Sequence, residues 1–337
     1  MKSRPILAAV AAFAAALGTA ALSQAGAPAE RAAAGTLPVT WEITPSDDAG
    51  EVQLSLRHRT RNSDSHNSQD YPIAELEGFA PGRDGPVRFR MAREAGTLDC
   101  QGEMRAERGS GRCTFYADAA FAAMLERRGI GRPDLREQYQ LALQDVGTPL
   151  IEELERQGYS RPEVDELVAL GIHGADVAYL RALDAAGYRV GRAEQLVAMR
   201  IHGVTPDYIA GLRSLGGGFS RPTAEQLVAM RIHGVTLDYL REMGRLGYTA
   251  FNPDEVVAMR IHGVRPELVR ELAALGYEGI RAEQLTQMAI HGVTPDFVRG
   301  MAEVGYRNLS VDQLVQMKIH GVTPEDARRA NGLGRRM

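Results

Sequence analysis

The sequence predicts an α+β protein: a small N-terminal antiparallel β-domain followed by an α-solenoid of two-helix repeats. Three observations carry the prediction. Apolar and polar residues alternate in short runs over 37–117, a unit of about 29 residues recurs over 118–337, and a histidine marks one fixed place in six copies. These are His173, His202, His233, His262, His291 and His320, at spacings of 29, 31, 29, 29 and 29. A fixed period of this length is the signature of stacked supersecondary units.

The chain opens with Lys2 and Arg4, an alanine-rich apolar run, and Ser23-Gln24-Ala25 as a small–x–small site. This reads as a signal peptide over 1–25, followed by an Ala/Gly/Pro linker over 26–36. The mature protein is expected to be periplasmic or secreted, with no transmembrane segment after signal cleavage. A pI near 6.1 gives no basic footprint for nucleic acid. In an oxidising compartment Cys100 and Cys113, which flank an expected hairpin, are candidates for a disulfide. Two cysteines without a CxxC spacing argue against a redox centre or structural zinc site.

In the β-domain, "VTWEIT", "EVQLSLR" and "VRFRM" each alternate, and Leu98 with Cys100 and Cys113 with Phe115 continue the pattern. About five strands with one apolar face are predicted. Residues 58–70 are expected to form a polar loop. Its His58, Asp64 and His66 are the one set that could serve a metal-dependent hydrolase, against the plainer reading of a solvated loop.

Each repeat encodes two short helices. An acid opens the first helix in every copy (Asp165, Glu194, Glu225, Asp254, Glu283, Asp312), complementing the helix dipole. Thr223 and Ser310, each with Gln three residues on, predict capping boxes, and Asn252 with Glu255 is a close variant. The second helix carries a stripe such as Tyr208, Ile209, Leu212 and Leu215. In the last copy the aromatic column becomes Asp326 and the leucine four residues on becomes Ala330, as a terminal capping unit requires, while 118–158 is a degenerate first unit without the histidine.

The repeated "RIHGVTPDYI" reads as a joint between helices. His202 ends one helix, where its ring is placed to meet free carbonyls, and Gly203 supplies the left-handed stop. Thr205 is the N-cap of the next helix and Pro206 its first residue, with Val204 and Ile209 as a hydrophobic staple. Equivalent residues on stacked helices stand roughly 8–10 Å apart. Two imidazoles on one zinc must each approach to about 2 Å. The six histidines are therefore expected to be structural, with no metal, no cofactor and no catalytic role. One column is harder to place: Arg200, Arg231, Arg260 and Lys318, with Gly171 and Ala289 in the other copies. Either their stems cover the stack while the charges reach water, or they form a basic ladder for an anionic glycan or lipid.

The wording "EQLVAMRIHGVTPDYI…LRSLG", with "GPVRFRMAREAGTLDCQGEM…GSGRCTFYADAAFAAML" upstream, resembles a family of exported bacterial repeat proteins. Similar segments look like extracytoplasmic extensions of β-lactam-sensor-type membrane metallopeptidases. The match spans about 80–333, but the chain has no HExxH and no set of membrane helices, so protease activity does not transfer. The resemblance and the repeat surface together imply a non-enzymatic scaffold that binds a protein or peptide in the cell envelope.

Overall fold

The computed structural model describes residues 35–60, 64–249 and 251–334. The expected signal peptide and nearly all of the linker lie outside the described residues.

The β-domain is one antiparallel sheet of six strands: β1 (Thr36–Pro45), β2 (Glu51–Arg59), β3 (Asp64–Pro72), β4 (Gly85–Arg93), β5 (Gly96–Arg105) and β6 (Arg108–Ala117). Their order is β3-β2-β1-β6-β5-β4, two three-stranded meanders joined where β1 pairs with β6. Alternation sorts the faces: Leu37, Val39, Trp41 and Ile43 of β1 point into the core while Pro38, Thr40 and Glu42 face water. Trp41 sits mid-sheet, its ring edge-on to Phe89 at 5.2 Å and its indole N–H donating to the Gln101 carbonyl at 3.1 Å. Gly102 makes room for that ring, since a Cβ there would lie 2.6 Å from Trp41.

The strand count corrects the sequence reading. The stretch expected as a polar loop contains β3, an edge strand whose one buried residue is Tyr71. Polar residues fill both of its faces, so the apolar alternation that marks a half-buried strand is missing. The strand is held by its backbone ladder to β2 and by polar cross-strand contacts, Ser55 to Ser68 and Arg57 to Asp64.

Cys100 and Cys113 stand directly opposite each other on β5 and β6, with a Cα–Cα distance of 4.0 Å, and are joined by a disulfide.

Helix α1 (Ala119–Arg127) leaves the sheet under an Asp118 cap, and α2 (Leu135–Leu143) packs on β1, β5 and β6. The Gln138 amide donates to the Ala95 carbonyl at 2.8 Å and to that of Asp118 at 2.5 Å, fixing α2 to the β4–β5 turn region. Helix α3 (Thr148–Gln157) has no capping side chain of its own. Instead Glu94 of the sheet accepts from the Thr148 amide at 2.7 Å and its hydroxyl at 2.6 Å. The stack is thus bonded to the domain that precedes it.

Six histidine-bearing units follow. Their helix pairs are α4 (Val164–Ile172) with α5 (Val177–Ala185), α6 (Ala193–Ile201) with α7 (Pro206–Leu215), and α8 (Ala224–Ile232) with α9 (Leu237–Arg245). Then come α10 (Pro253–Ile261) with α11 (Pro266–Ala274), α12 (Ala282–Ile290) with α13 (Pro295–Glu303), and α14 (Val311–Ile319) with α15 (Pro324–Gly334). Even-numbered helices from α2 to α14 pack in succession as one layer, and odd-numbered ones from α3 to α15 as a second. The pair α2 and α3 is therefore the degenerate first unit. Between the layers runs a continuous core, exemplified by Leu196, Met199, Ile209 and Leu212, all with no exposed surface.

Candidate functional site

In the second unit the joint is built by the backbone. The Val204 amide donates to the Met199 carbonyl at 2.8 Å and that of Gly203 to Arg200 at 3.1 Å, the pair of bonds that defines a Schellman stop. Gly203 carries φ +67°, and the equivalent glycines of the other five units lie between +66° and +74°. Thr205 accepts from the Tyr208 amide at 3.1 Å with Pro206 at the first helical position, and Val204 and Ile209 are buried. The six histidines occupy the C-cap positions. Their rings do not meet the helix carbonyls, which the Schellman bonds already satisfy, and among the described residues no ring makes a hydrogen bond or ion pair. This corrects the expected role of the imidazole, which stands at the surface without a partner.

The basic column works between units. The Arg200 guanidinium lies 4.8 Å from the centroid of Tyr179 in the preceding unit, Arg231 is 5.0 Å from Tyr208, Arg260 is 4.9 Å from Tyr239, and the Lys318 ammonium is 5.1 Å from Phe297. Cations over aromatic faces are attracted by the ring quadrupole. The Arg200 and Arg260 Nε–H groups also donate to the His173 and His233 carbonyls, each at 3.3 Å. The tyrosines reach forward as well: Tyr179, Tyr208 and Tyr239 hydroxyls donate to the Val204, Val235 and Val264 carbonyls at 2.8, 2.7 and 3.1 Å. Burial pushes the Tyr239 phenol up to about 12, which keeps it a donor. The exception explains itself, for Ala289 replaces the cation where the preceding unit carries Leu268 in place of an aromatic ring.

The isoleucine before each histidine is the feature that sequence reasoning missed. Ile172, Ile201, Ile232, Ile261, Ile290 and Ile319 are 44–54% exposed, more than any other large aliphatic side chain among the described residues, the next being Leu215 at 37%. The signal was available. Ile201 lies two residues beyond the buried Met199, about 200° around a helix of 3.6 residues per turn, and so faces away from the core. Neighbouring helices of the layer stand roughly 8–10 Å apart, so the six side chains form a row of about 40–50 Å. Glu194 lies seven residues before Ile201, nearly in line along the helix and about 10 Å away. The acids Asp165, Glu194, Glu225, Asp254, Glu283 and Asp312 are all exposed and make a second row on this face. Half-exposed Val197 and Ala198 lie between the two rows.

The polar trio of the β-domain does not assemble. His58 points inward, 8% exposed, with Nδ1 2.7 Å from the Pro38 carbonyl, whereas Asp64 and His66 are on the outer face. Asp64 is bound to Arg57, whose side-chain hydrogen bond holds the carboxyl below its ordinary range. Among the described residues no three metal-ligating side chains come together, and no helix is long and apolar enough to cross a membrane. No protein-family model and no curated protein matches the chain.

Proposed function

We propose that the protein is a non-enzymatic exported scaffold that binds a protein or peptide along the even-helix face of the solenoid. The observation that carries this reading is the row of six half-exposed isoleucines, one per unit, backed by six partner-free histidine rings. Contiguous exposed apolar surface rimmed by polar groups marks interaction sites, and stacked repeats present such surface over a long, regular span. The parallel row of acids selects a partner with basic groups beside its apolar ones. Export and a place in envelope sensing rest on the N-terminal sequence, the disulfide and the resemblance described above. The basic column contributes by holding neighbouring units together.

The test is in-cell crosslinking from a photoreactive residue at position 232, on the row, and at position 245, in the other layer. A partner captured from 232 alone, and lost when Ile201→Ser and Ile261→Ser are added to the same crosslinking protein, is the expected result. Identical products from both positions would overturn the proposal.

A further inference from the structure

The outer face of the sheet, turned away from α2, is polar, and the register lines up its arginines. Reading straight across the strands, His66 is opposite Arg57, Arg57 opposite Thr40, Thr40 opposite Arg112, Arg112 opposite Gln101, and Gln101 opposite Arg88. Arginines therefore stand on β2, β6 and β4, every second strand, about 10 Å apart. They border an open depression of about 920 Å³, with Arg59 and Arg90 also at its rim. Arg57 is paired with Asp64 and Arg90 with Asp99. Arg59, Arg88 and Arg112 make no ion pair among the described residues, and the five arginines lining the depression outnumber its acids, Glu77 and Asp99, so the depression carries net positive charge on an otherwise acidic protein.

We propose that this face binds an anionic oligosaccharide, its successive carboxylates meeting Arg112 and Arg88, the two guanidinium forks of the row that hold no carboxylate of the chain's own. A guanidinium fork matches a carboxylate in two parallel hydrogen bonds. The spacing of the arginines is of the order of one disaccharide, which fits a glycan bearing one carboxylate on every second sugar. Thr40 and Gln101 lie between the arginines and offer a hydroxyl and an amide to the sugar hydroxyls. Tyr116, 47% exposed on the same face, presents a ring for the apolar side of a pyranose. A protein partner needs a buried apolar or aromatic cluster at the centre of its footprint, and a membrane surface needs apolar side chains to insert. This face provides neither, since among the described residues Tyr116 is the one large exposed apolar residue on it.

The site is separate from the isoleucine row, and its test does not depend on that reading. The full mature chain is titrated calorimetrically with oligomers of alternating glucuronate and N-acetylglucosamine, neutral N-acetylglucosamine oligomers of equal length, a poly-glutamate peptide and phosphatidylglycerol vesicles. The uronate is expected to bind most tightly and more weakly as salt rises. An Arg88→Gln/Arg112→Gln variant should lose roughly tenfold or more in affinity, with an unchanged melting profile. Arg112→Lys, which keeps the charge and removes the fork, should also weaken binding. The Ile201→Ser/Ile232→Ser/Ile261→Ser variant should bind as the parent does. Equal binding of the neutral oligomer, tighter binding of peptide or vesicles, or no effect of the arginine substitutions would overturn the proposal.

Discussion

Tyr239→Leu together with Arg260→Ala would recreate, between the third and fourth units, the Leu268–Ala289 arrangement that already exists between the fourth and fifth. Tyr239→Leu removes a buried hydrogen bond to Val264, 3.1 Å long, and the ring beneath the guanidinium. The hydrogen bond contributes about 1 kcal/mol and the cation–π contact about 0.5–1 kcal/mol. Arg260→Ala removes that same contact and the weaker bond to the His233 carbonyl. Because the contact is lost once in the double variant and counted in both single ones, the two costs should overlap by about 0.5–1 kcal/mol. Urea unfolding of all four proteins by circular dichroism gives the cycle. Hydrogen exchange over α8–α11 localises the effect, since a repeat array need not unfold in one step. The reverse pair, Leu268→Phe with Ala289→Arg, should show coupling of the same sign. A coupling below about 0.3 kcal/mol, the level at which independent sites simply add, would refute the interlock.

Four further outcomes are expected. Gly263→Ala, at φ +74° with nothing within 4 Å of the added Cβ, should cost about 1 kcal/mol through backbone strain alone in thermal or chemical unfolding. Gly203→Val should cost more, because its Cβ stands 3.3 Å from Arg231 and the branched side chain resists a left-handed backbone. Cys100→Ser with Cys113→Ser should destabilise the β-domain by roughly 3 kcal/mol, read as a lower melting temperature that reducing agent no longer changes. Glu153 is held at about 2, first by the hydrogen bond from Arg156 and then by those from Gln157 and Arg181. A carboxyl lowered in the folded state stabilises fully above its unfolded value of about 4.3 and loses that contribution as pH falls towards 2. Glu153→Gln should therefore lower stability at pH 7 and flatten its decline over that acid window, measured by urea midpoints.

The order of elements was legible because it is written in short-range chemistry. Thr223, Asn252 and Ser310 form the capping boxes that their spacing predicts, and the recurring glycines take left-handed φ. β3 was illegible because backbone pairing holds it, and backbone pairing leaves no mark on side-chain type. The pairing of Arg260 with Tyr239 was present in the sequence as two columns that vary together, yet it links residues one unit apart and escapes a reading made helix by helix. The exposed isoleucines were hidden differently. An apolar residue in an amphipathic segment is assumed to face inward, and only its angle from Met199 shows that Ile201 does not.

The contact between a cation and the preceding unit's ring gives the array a direction and a rule of succession. Every unit from the second to the fourth offers an arginine backwards, and each from the first to the third offers a tyrosine forwards. The second and third units, which offer both, can be duplicated or deleted without leaving a mismatch at the new seam: loss of the second would set Arg231 against Tyr179. Loss of the fifth would instead set Lys318 against Leu268, and only a compensating change would mend it. The solenoid can thus lengthen or shorten freely near the sheet, while its distal end is fixed in composition by the neighbours it has already accepted.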